Sequence, residues 1–176
     1  GQWSYNTTTD ILFLYSATDP DTAFTSPGVE ADQRTFAIFN PKDFITFENI
    51  DLRMGHYAGL SISSLGIPIT SITASYLTSS YNGQHGIELT NNTGTNNISG
   101  ITIDHCITHH NGLAGIRGST TTAGTISGVA VSNNTVYSNN WRSVVLDEGG
   151  IKFFRASNIA ITGNTSYNNG DALPNF

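Results

Sequence analysis

Short segments of alternating apolar and polar residues recur along the chain, separated by clusters of Asn, Gly and Ser. Four of them read ITSITASYLTSS, ISGITIDHCITHH, ISGVAVSNNTVYS and SNIAITGNTSY, and FITFENIDLRMG at 44–55 is a fifth, less Asn-rich copy. A period of two indicates β-strands, and no long segment shows the helical period of 3.6. The pattern therefore predicts an all-β chain built from repeats.

An Asn-rich turn follows each of the four main strand segments. The corner residues Asn82, Asn111, Asn140 and Asn169 are separated by 29 residues at each step. A coil of this length cannot bury its apolar face alone, but stacked coils bury a continuous column. We expect the corner Asn side chains to form a hydrogen-bonded ladder, as stacked Asn residues do in cross-β assemblies. The strand residues expected to face inward are Ile101, Ile103, Val129, Val131, Ile159 and Ile161.

Each coil also contains a Gly-Ile or Gly-Leu pair that opens a further strand. The pairs are Gly59-Leu60, Gly86-Ile87, Gly115-Ile116 and Gly150-Ile151. Alternation turns the Ile or Leu inward and the next residue outward, so the outward residues of successive coils lie about 4.8 Å apart. The predicted column consists of Ser61, Glu88, Arg117 and Lys152. A strict 29-residue spacing would instead place Leu146 after Arg117; the Gly-Ile register is preferred because it preserves the motif.

The unit GIKFFRASNIAITGNTSYNNG at 150–170 resembles the repeat of right-handed parallel β-helix proteins, a group that includes pectate lyases and other polysaccharide-active enzymes. The resemblance covers residues 36–170. It implies a right-handed parallel β-helix of about five coils, in a single domain of residues 1–176. The opening GQWSYNTTTDILFLYSATDP is similar to a hairpin of bacterial members, so residues 1–35 are assigned to a β-hairpin and loop and residues 36–176 to the coils.

In the hairpin, Trp3 and Tyr5 are expected to pair with Leu12, Leu14 and Tyr15 around the NTTTD turn. At the other end the chain stops at DALPNF, where another Gly-Ile strand is expected. An uncapped coil exposes strand edges that invite pairing. We therefore expect a fragment of a longer protein or, as the alternative, coil ends covered by other subunits through end-to-end self-association.

Composition narrows the classes of partner. Charged residues make up 11% of the chain, and the net charge is −6 with only seven Lys and Arg residues. Nucleic-acid and anionic-membrane binding need clustered cations, so neither is predicted. No apolar run approaches the roughly 20 residues of a membrane helix. Cys106 is the single cysteine and is expected to be a small buried core residue, while the Thr, Asn and Gly content favours a secreted, extracellular or cell-surface location.

The stretch DEGGIKFFR at 147–155 departs from the repeat, because its coil carries an insertion before the Gly-Ile strand instead of after it. Insertions in a solenoid become loops on one face, which is often the binding face. A uronate lyase needs a base to remove the proton α to a carboxylate, and cations to stabilise the enolate. Lys152 is the candidate base, with Arg155 and Arg117 as charge stabilisers. The alternative is a solvated charge ladder that contributes only a fraction of a kcal/mol per pair.

Further residues near this column are candidates for substrate binding, with purely structural roles as the alternative. They are Glu88, His85, Trp141, Asp147 and Glu148. Trp141 replaces the usual Gly after a corner Asn, so its ring could stack on a sugar or pack under the insertion. Because Asp147 and Glu148 are adjacent, they point apart in a strand, and a hydrolase with two carboxylates roughly 5–9.5 Å apart is not predicted.

No metal centre is predicted from the remaining residue types. Zinc needs three or four ligands in compact geometry, and no such set is evident. Calcium needs clustered carboxylates, for which Asp147 and Glu148 give only slight support. The resemblance as a whole implies a protein that binds or acts on polysaccharide, with uronate lysis as the enzyme hypothesis. The alternative is a non-catalytic β-solenoid, either a surface adhesin or a self-assembling filament subunit.

Overall fold

The chain divides into two compact units, Gly1–Ala31 and Asp32–Phe176. A computed structural model describes residues 3–6, 8, 11–14, 34–40, 42–91, 96–120, 124–142 and 148–170.

The first unit contains an antiparallel hairpin of β1 (Trp3–Asn6) and β2 (Ile11–Leu14). Trp3 lies opposite Leu14 and Tyr5 lies opposite Leu12, as the sequence predicts. Tyr15, the remaining residue expected in this pairing, lies outside the described residues.

The described residues of the second unit wind as a parallel β-solenoid with three sheets of five strands each. Sheet 1 consists of β4 (Thr46–Glu48), β7 (Ile69–Ser75), β10 (Asn97–Asp104), β13 (Thr125–Ser132) and β16 (Ala156–Thr162). Sheet 2 consists of β5 (Asp51–Arg53), β8 (Thr78–Ser80), β11 (Ile107–His109), β14 (Thr135–Tyr137) and β17 (Thr165–Tyr167). Sheet 3 consists of β3 (Phe36–Asn40), β6 (Ala58–Ser63), β9 (His85–Asn91), β12 (Ile116–Thr120) and β15 (Ile151–Phe154). In the described part of the chain, no helix has the length and apolar character needed to cross a membrane.

The register of the sheets confirms the repeat and corrects its count. In sheet 1, Thr46 is followed in register by Thr73, Thr102, Ala130 and Ala160, which gives steps of 27, 29, 28 and 30 residues. The spacing is therefore close to 29 residues but not constant. Five rungs in each sheet amount to about four complete turns, so the estimate of five coils was slightly high.

The predicted core residues fill the interior of the middle coils. Ile101, Ile103, Val129 and Val131 are at most 1% exposed. Ile161 lies in register with Val131 but is 51% exposed. The expectation that Ile161 is buried was wrong, because β16 is the outermost strand of sheet 1 among the described residues.

A buried asparagine ladder lines one corner of the solenoid. The Asn82 amide donates to Asn111 Oδ1 at 2.9 Å, and the Asn111 amide donates to Asn139 Oδ1 at the same distance. Asn139 in turn donates to Asn169 Oδ1 at 2.9 Å. The sequence prediction placed Asn140 in this ladder and was wrong by one residue, because successive coils differ in length. Asn140 instead donates its side-chain amide to the carbonyl oxygen of Glu148 at 3.1 Å.

A shorter ladder occupies the corner between sheets 1 and 2. The Asn134 amide donates to Asn164 Oδ1 at 2.9 Å, and Asn134 Oδ1 accepts from the Cys106 N–H at 2.7 Å. Cys106 is fully buried, as predicted, and burial raises the pKa of its thiol to about 11. The thiol is therefore a structural group at neutral pH.

Candidate functional site

The predicted polar column crosses sheet 3. Ser61 pairs with Glu88, Glu88 with Arg117, and Arg117 with Lys152. This confirms the Gly-Ile register and excludes the alternative with Leu146 after Arg117. Phe39 precedes Ser61 in the same column and is 40% exposed. The column thus runs over five rungs, from an aromatic ring to a cation.

Glu88 lies at the centre of the column and is only 1% exposed. Its Oε1 accepts hydrogen bonds from Arg117 Nη1 at 2.8 Å and from the Tyr57 hydroxyl at 3.3 Å. Burial raises the pKa of Glu88, although Arg117 and the Tyr57 hydrogen bond oppose the rise. This environment differs from the solvated charge ladder considered as the alternative, since the carboxylate is desolvated.

His85 is buried beside this carboxylate. Its Nδ1 accepts a hydrogen bond from the Ala114 N–H at 3.3 Å, so the proton of the neutral ring is on Nε2. Nε2 is 3.9 Å from Glu88 Oε1. Burial, and then the nearby charges of Arg117 and Lys152, lower the pKa of His85 to about 3. The ring is therefore neutral at pH 7, and its N–H faces Glu88.

Glu148 provides a second carboxylate at the same place. Its Oε1 lies 3.3 Å from Lys152 Nζ and 3.6 Å from Arg117 Nε, and its side chain is 6% exposed. Arg117 therefore bridges Glu88 and Glu148. The Arg117 and Lys152 side chains are 21% and 20% exposed, so the cations are the more accessible members of the cluster.

Several buried polar atoms of this cluster have no hydrogen-bond partner among the described protein groups. They are Ser61 Oγ, Glu88 Oε2, Glu148 Oε2 and Arg117 Nε. Buried polar atoms are nearly always paired in native proteins, with protein, water or ligand. Together they offer hydrogen-bond donors and acceptors, a set that suits hydroxyl groups, which can both donate and accept.

Two further residues predicted for the site, Arg155 and Trp141, lie elsewhere. Arg155 is exposed at the corner between β15 and β16, with φ 52°, and its guanidinium carbon is 5.2 Å above the Phe154 ring centre. Trp141 is 38% exposed, and its Nε1 donates to the carbonyl oxygen of His110 at 3.2 Å. Asp147 lies outside the described residues.

Sheet 2 carries a stack of aromatic side chains. The rings of His109, Tyr137 and Tyr167 stack on one another at centre distances of 4.9 and 5.2 Å. Most of the ring faces are therefore occupied by neighbouring rings, and their edges remain. Tyr167, the last ring of this stack among the described residues, is 46% exposed.

Sequence reasoning did not place Tyr57 beside Glu88 and did not pair Glu88 with Glu148. Tyr57 precedes β6, and its carbonyl oxygen accepts from the backbone N–H of His85 at 2.8 Å. This hydrogen bond places the two residues one rung apart. The sequence could have indicated this position, since Tyr57 comes two residues before the Gly59-Leu60 pair and so lies near the start of the same strand motif. Within the described residues, no group of three or more His, Cys, Asp or Glu side chains could hold a metal ion.

Comparison with known proteins agrees with this architecture. A family model described as the right handed beta helix region matches residues 39–173. Neither the comparison with curated proteins nor the comparison with solved structures found a match. The family match spans most of the chain and nearly all of the solenoid. The chain therefore belongs to the family of right-handed β-helix proteins.

Proposed function

We propose that this protein binds a polysaccharide along the polar column of sheet 3. The observation that carries the proposal is the set of unpartnered buried polar atoms on Ser61, Glu88, Arg117 and Glu148. Sugar hydroxyl groups supply donors and acceptors of the kind these atoms lack. Phe39, half-exposed at the head of the column, adds an apolar ring next to the polar groups.

Cleavage of an acidic polysaccharide by β-elimination is a second candidate, favoured by the adjacent Arg117 and Lys152. These cations are more exposed than the two carboxylates, so they are the first groups that an incoming uronate would meet. Lys152 would remove the proton α to the uronate carboxylate, while Arg117 would stabilise the enolate. Lys152 Nζ lies 3.3 Å from Glu148 Oε1, so this role requires that contact to separate.

Binding can be tested with polygalacturonate, alginate, xylan and a soluble β-glucan, using isothermal titration calorimetry. We expect at least one polymer to bind, and Arg117→Gln to weaken that binding about tenfold or more. Arg53→Ala is the matched control, because Arg53 forms an exposed ion pair with Asp51 on sheet 2. Absence of binding, or equal loss in both variants, would contradict the proposal.

The same polymers separate β-elimination from binding alone. Elimination creates an unsaturated uronate that absorbs in the ultraviolet, and we expect Lys152→Ala to abolish this absorbance if the lyase candidate is correct. Binding of a polymer without new ultraviolet absorbance would show that the protein binds polysaccharide but does not cleave it by β-elimination. A structural or filament-forming solenoid would instead show no polymer binding and would associate coil on coil in electron micrographs.

A further inference from the structure

We propose that His109 and His110 form a binding site for a divalent transition-metal ion, copper(II) above all, on the outer side of sheet 2. The site lies on a different sheet from the polar column and needs no bound polysaccharide. The observation that carries it is the separation of the two ring Nδ1 atoms, which is 2.8 Å. Two converging imidazole nitrogens are ligands of the type that copper, nickel and zinc ions accept.

The turn at the end of β11 brings the two histidine side chains together. Neighbouring residues of a strand point to opposite sides of the sheet. His109 is the last residue of β11, and His110 follows it with a left-handed backbone, φ 52°. The chain therefore turns between them, and the two imidazoles meet with their rings nearly perpendicular, at 89°. Trp141 Nε1 donates to the carbonyl oxygen of His110 at 3.2 Å, which helps to hold the turn in place.

Tyrosine rings on the neighbouring rungs hold both imidazoles. The His109 ring stacks on Tyr137 at a centre distance of 4.9 Å, and the His110 ring stacks on Tyr81 at 5.2 Å. Each tyrosine also meets the other imidazole in an edge contact, at 5.7 Å for Tyr81 and 6.0 Å for Tyr137. Side chains that are ordered in this way lose little conformational entropy when they bind an ion.

The separation of the nitrogens favours one coordination geometry. Nitrogen ligands about 2.0–2.1 Å from an ion lie roughly 2.8–3.0 Å apart at right angles, but about 3.3–3.4 Å apart at the tetrahedral angle that zinc prefers. The 2.8 Å between His109 and His110 therefore suits two adjacent positions of a square-planar or tetragonal ion, which is the geometry of copper(II) and nickel(II). Water or a small-molecule ligand would take the remaining positions.

Metal binding replaces the hydrogen bond between the two rings. At 2.8 Å, one Nδ1–H donates to the other Nδ1. Each neutral imidazole can instead carry its proton on Nε2, which frees both Nδ1 lone pairs for the ion without net loss of a proton. A tilt of the two partly exposed rings then directs the lone pairs to one point. Burial, and then the neighbouring His110, lower the pKa of His109, so its ring is neutral at pH 7, as a metal ligand must be.

A buried hydroxyl group beside His109 is a second, independent feature of the site. Ser80 pairs with His109 in the register of sheet 2. Ser79 faces the interior, where its Oγ donates to the carbonyl oxygen of Gly86 at 2.8 Å, so alternation places Ser80 on the outer side with His109. Ser80 Oγ is fully buried and has no hydrogen-bond partner among the described protein groups. A water molecule bound to the ion would supply that partner.

Isothermal titration calorimetry with copper(II) chloride at pH 7 tests the site. We expect His109→Gln and His110→Gln each to weaken copper binding about tenfold or more, because each removes one of the two nitrogen ligands. His105→Gln is the matched control and should bind copper as the parent does. His105 also has a positive φ, 51°, and stacks on Tyr76 at 5.1 Å, but its Nδ1 faces Asp104 and not a second imidazole. Failure of the parent to bind copper, or equal weakening in His105→Gln, would overturn the proposal.

Electron paramagnetic resonance of the copper-loaded protein locates the ion by a readout other than affinity. We expect an axial spectrum with coupling to two imidazole nitrogens in the parent, and coupling to a single imidazole nitrogen in His109→Gln. Arg117→Gln, whose polymer binding is expected to fall, should give the spectrum of the parent, because the two sites lie on different sheets. A parent spectrum without nitrogen coupling, or one that is unchanged in His109→Gln, would show that copper binds elsewhere and would overturn the assignment.

Discussion

His85 shows at the scale of one residue how the fold selects a protonation state. The ring is 1% exposed, and its Nδ1 already accepts from the Ala114 N–H, so protonation of Nδ1 would break that hydrogen bond. Arg117 and Lys152 add two positive charges in the neighbourhood. Desolvation and like charge therefore act in the same direction, and both oppose the imidazolium.

A pH-dependent loss of stability follows from this environment. The pKa of His85 falls from an ordinary 6.5 to about 3 in the folded protein, so the unfolded chain binds one more proton between these values. Stability from this group is complete above pH 6.5 and is lost as the pH falls towards 3, by about 2–3 kcal/mol at pH 4.5. Urea unfolding of the parent and His85→Asn between pH 4 and 7 measures the difference, since Asn keeps an oxygen for the Ala114 N–H.

The slope of unfolding free energy against pH should be shallower in His85→Asn than in the parent. His56→Asn is the control, because His56 is exposed. An unchanged slope in His85→Asn would show that His85 is not held neutral. Glu88 contributes with the opposite sign: its raised pKa gives stability at low pH that is lost as the pH rises.

At the scale of single residues, the sequence could predict which residues share the column of sheet 3, but not how deeply each side chain is buried. The Gly-Ile motif predicts that Glu88, Arg117 and Lys152 lie in one column, because the period of a strand fixes alternate sides. It cannot predict that Glu88 is almost fully buried, since burial depends on side chains from other rungs. Glu148 precedes the motif in an insertion, and no repeat position defines where its side chain lies.

At the scale of secondary-structure elements, the asparagine ladder joins successive coils through side-chain hydrogen bonds, and Asn111 makes four of them. Asn111 Oδ1 accepts from the backbone N–H and the side-chain amide of Asn82, at 3.1 and 2.9 Å. Its own amide donates to Ser79 O at 3.0 Å and to Asn139 Oδ1 at 2.9 Å. Every hydrogen-bonding site of the Asn side chain is used. The sequence predicted such a ladder, but a constant spacing cannot distinguish Asn139 from Asn140.

Removal of this side chain should be costly. Asn111→Ala removes four buried hydrogen bonds, and we expect a loss of about 3 kcal/mol or more in the free energy of unfolding. Asn140→Gly is the matched variant, because Asn140 has φ 66° and donates one hydrogen bond to Glu148. We expect a loss of about 1 kcal/mol there, measured by urea unfolding at pH 7. If Asn140→Gly lost more unfolding free energy than Asn111→Ala, the assignment of Asn139 to the ladder would be wrong and Asn140 would be the ladder residue.

The glycine that follows the ladder residue permits close contact between coils. A Cβ atom at Gly112 would collide with the carbonyl oxygen of Gly83 and lie 2.7 Å from Arg142 Cδ. Arg142 crosses two rungs there, and its Nη1 donates to Gly83 O at 3.1 Å. We therefore expect Gly112→Ala to lower the melting temperature and to cost about 3 kcal/mol.

Gly149→Ala is the control for this substitution, since a Cβ at Gly149 meets no described atom within 4 Å. Its melting temperature should lie within about 2 °C of the parent value, because surface substitutions usually change stability by less than about 0.5 kcal/mol. Equal melting temperatures for the two variants would show that the coils can separate at Gly112 without cost.

At the scale of the whole molecule, stability comes from contacts between successive rungs. Backbone pairing joins residues 27–30 positions apart in sheet 1, so each rung contacts the rung before it and the rung after it. A solenoid of this kind has stability that is approximately a sum of rung and interface terms. The site on sheet 3 depends on the same stacking, because Glu88 and Glu148 contact the same Arg117 side chain only when successive coils are in place.

Two isoleucines of one column test this description. Ile101 is 1% exposed between Ile72 and Val129, whereas Ile159 is partly buried and pairs with Val129 on one side. We expect Ile101→Ala to cost about 3–4 kcal/mol of unfolding free energy and Ile159→Ala about 1–2 kcal/mol.

Hydrogen exchange followed by mass spectrometry should show faster exchange in Ile101→Ala in the strands on both sides of that residue, β7 and β13. In Ile159→Ala the change should stay within β16 and β13. Uniform acceleration across all rungs in both variants would mean that the solenoid unfolds as one unit and that its stability is not a sum over neighbouring rungs.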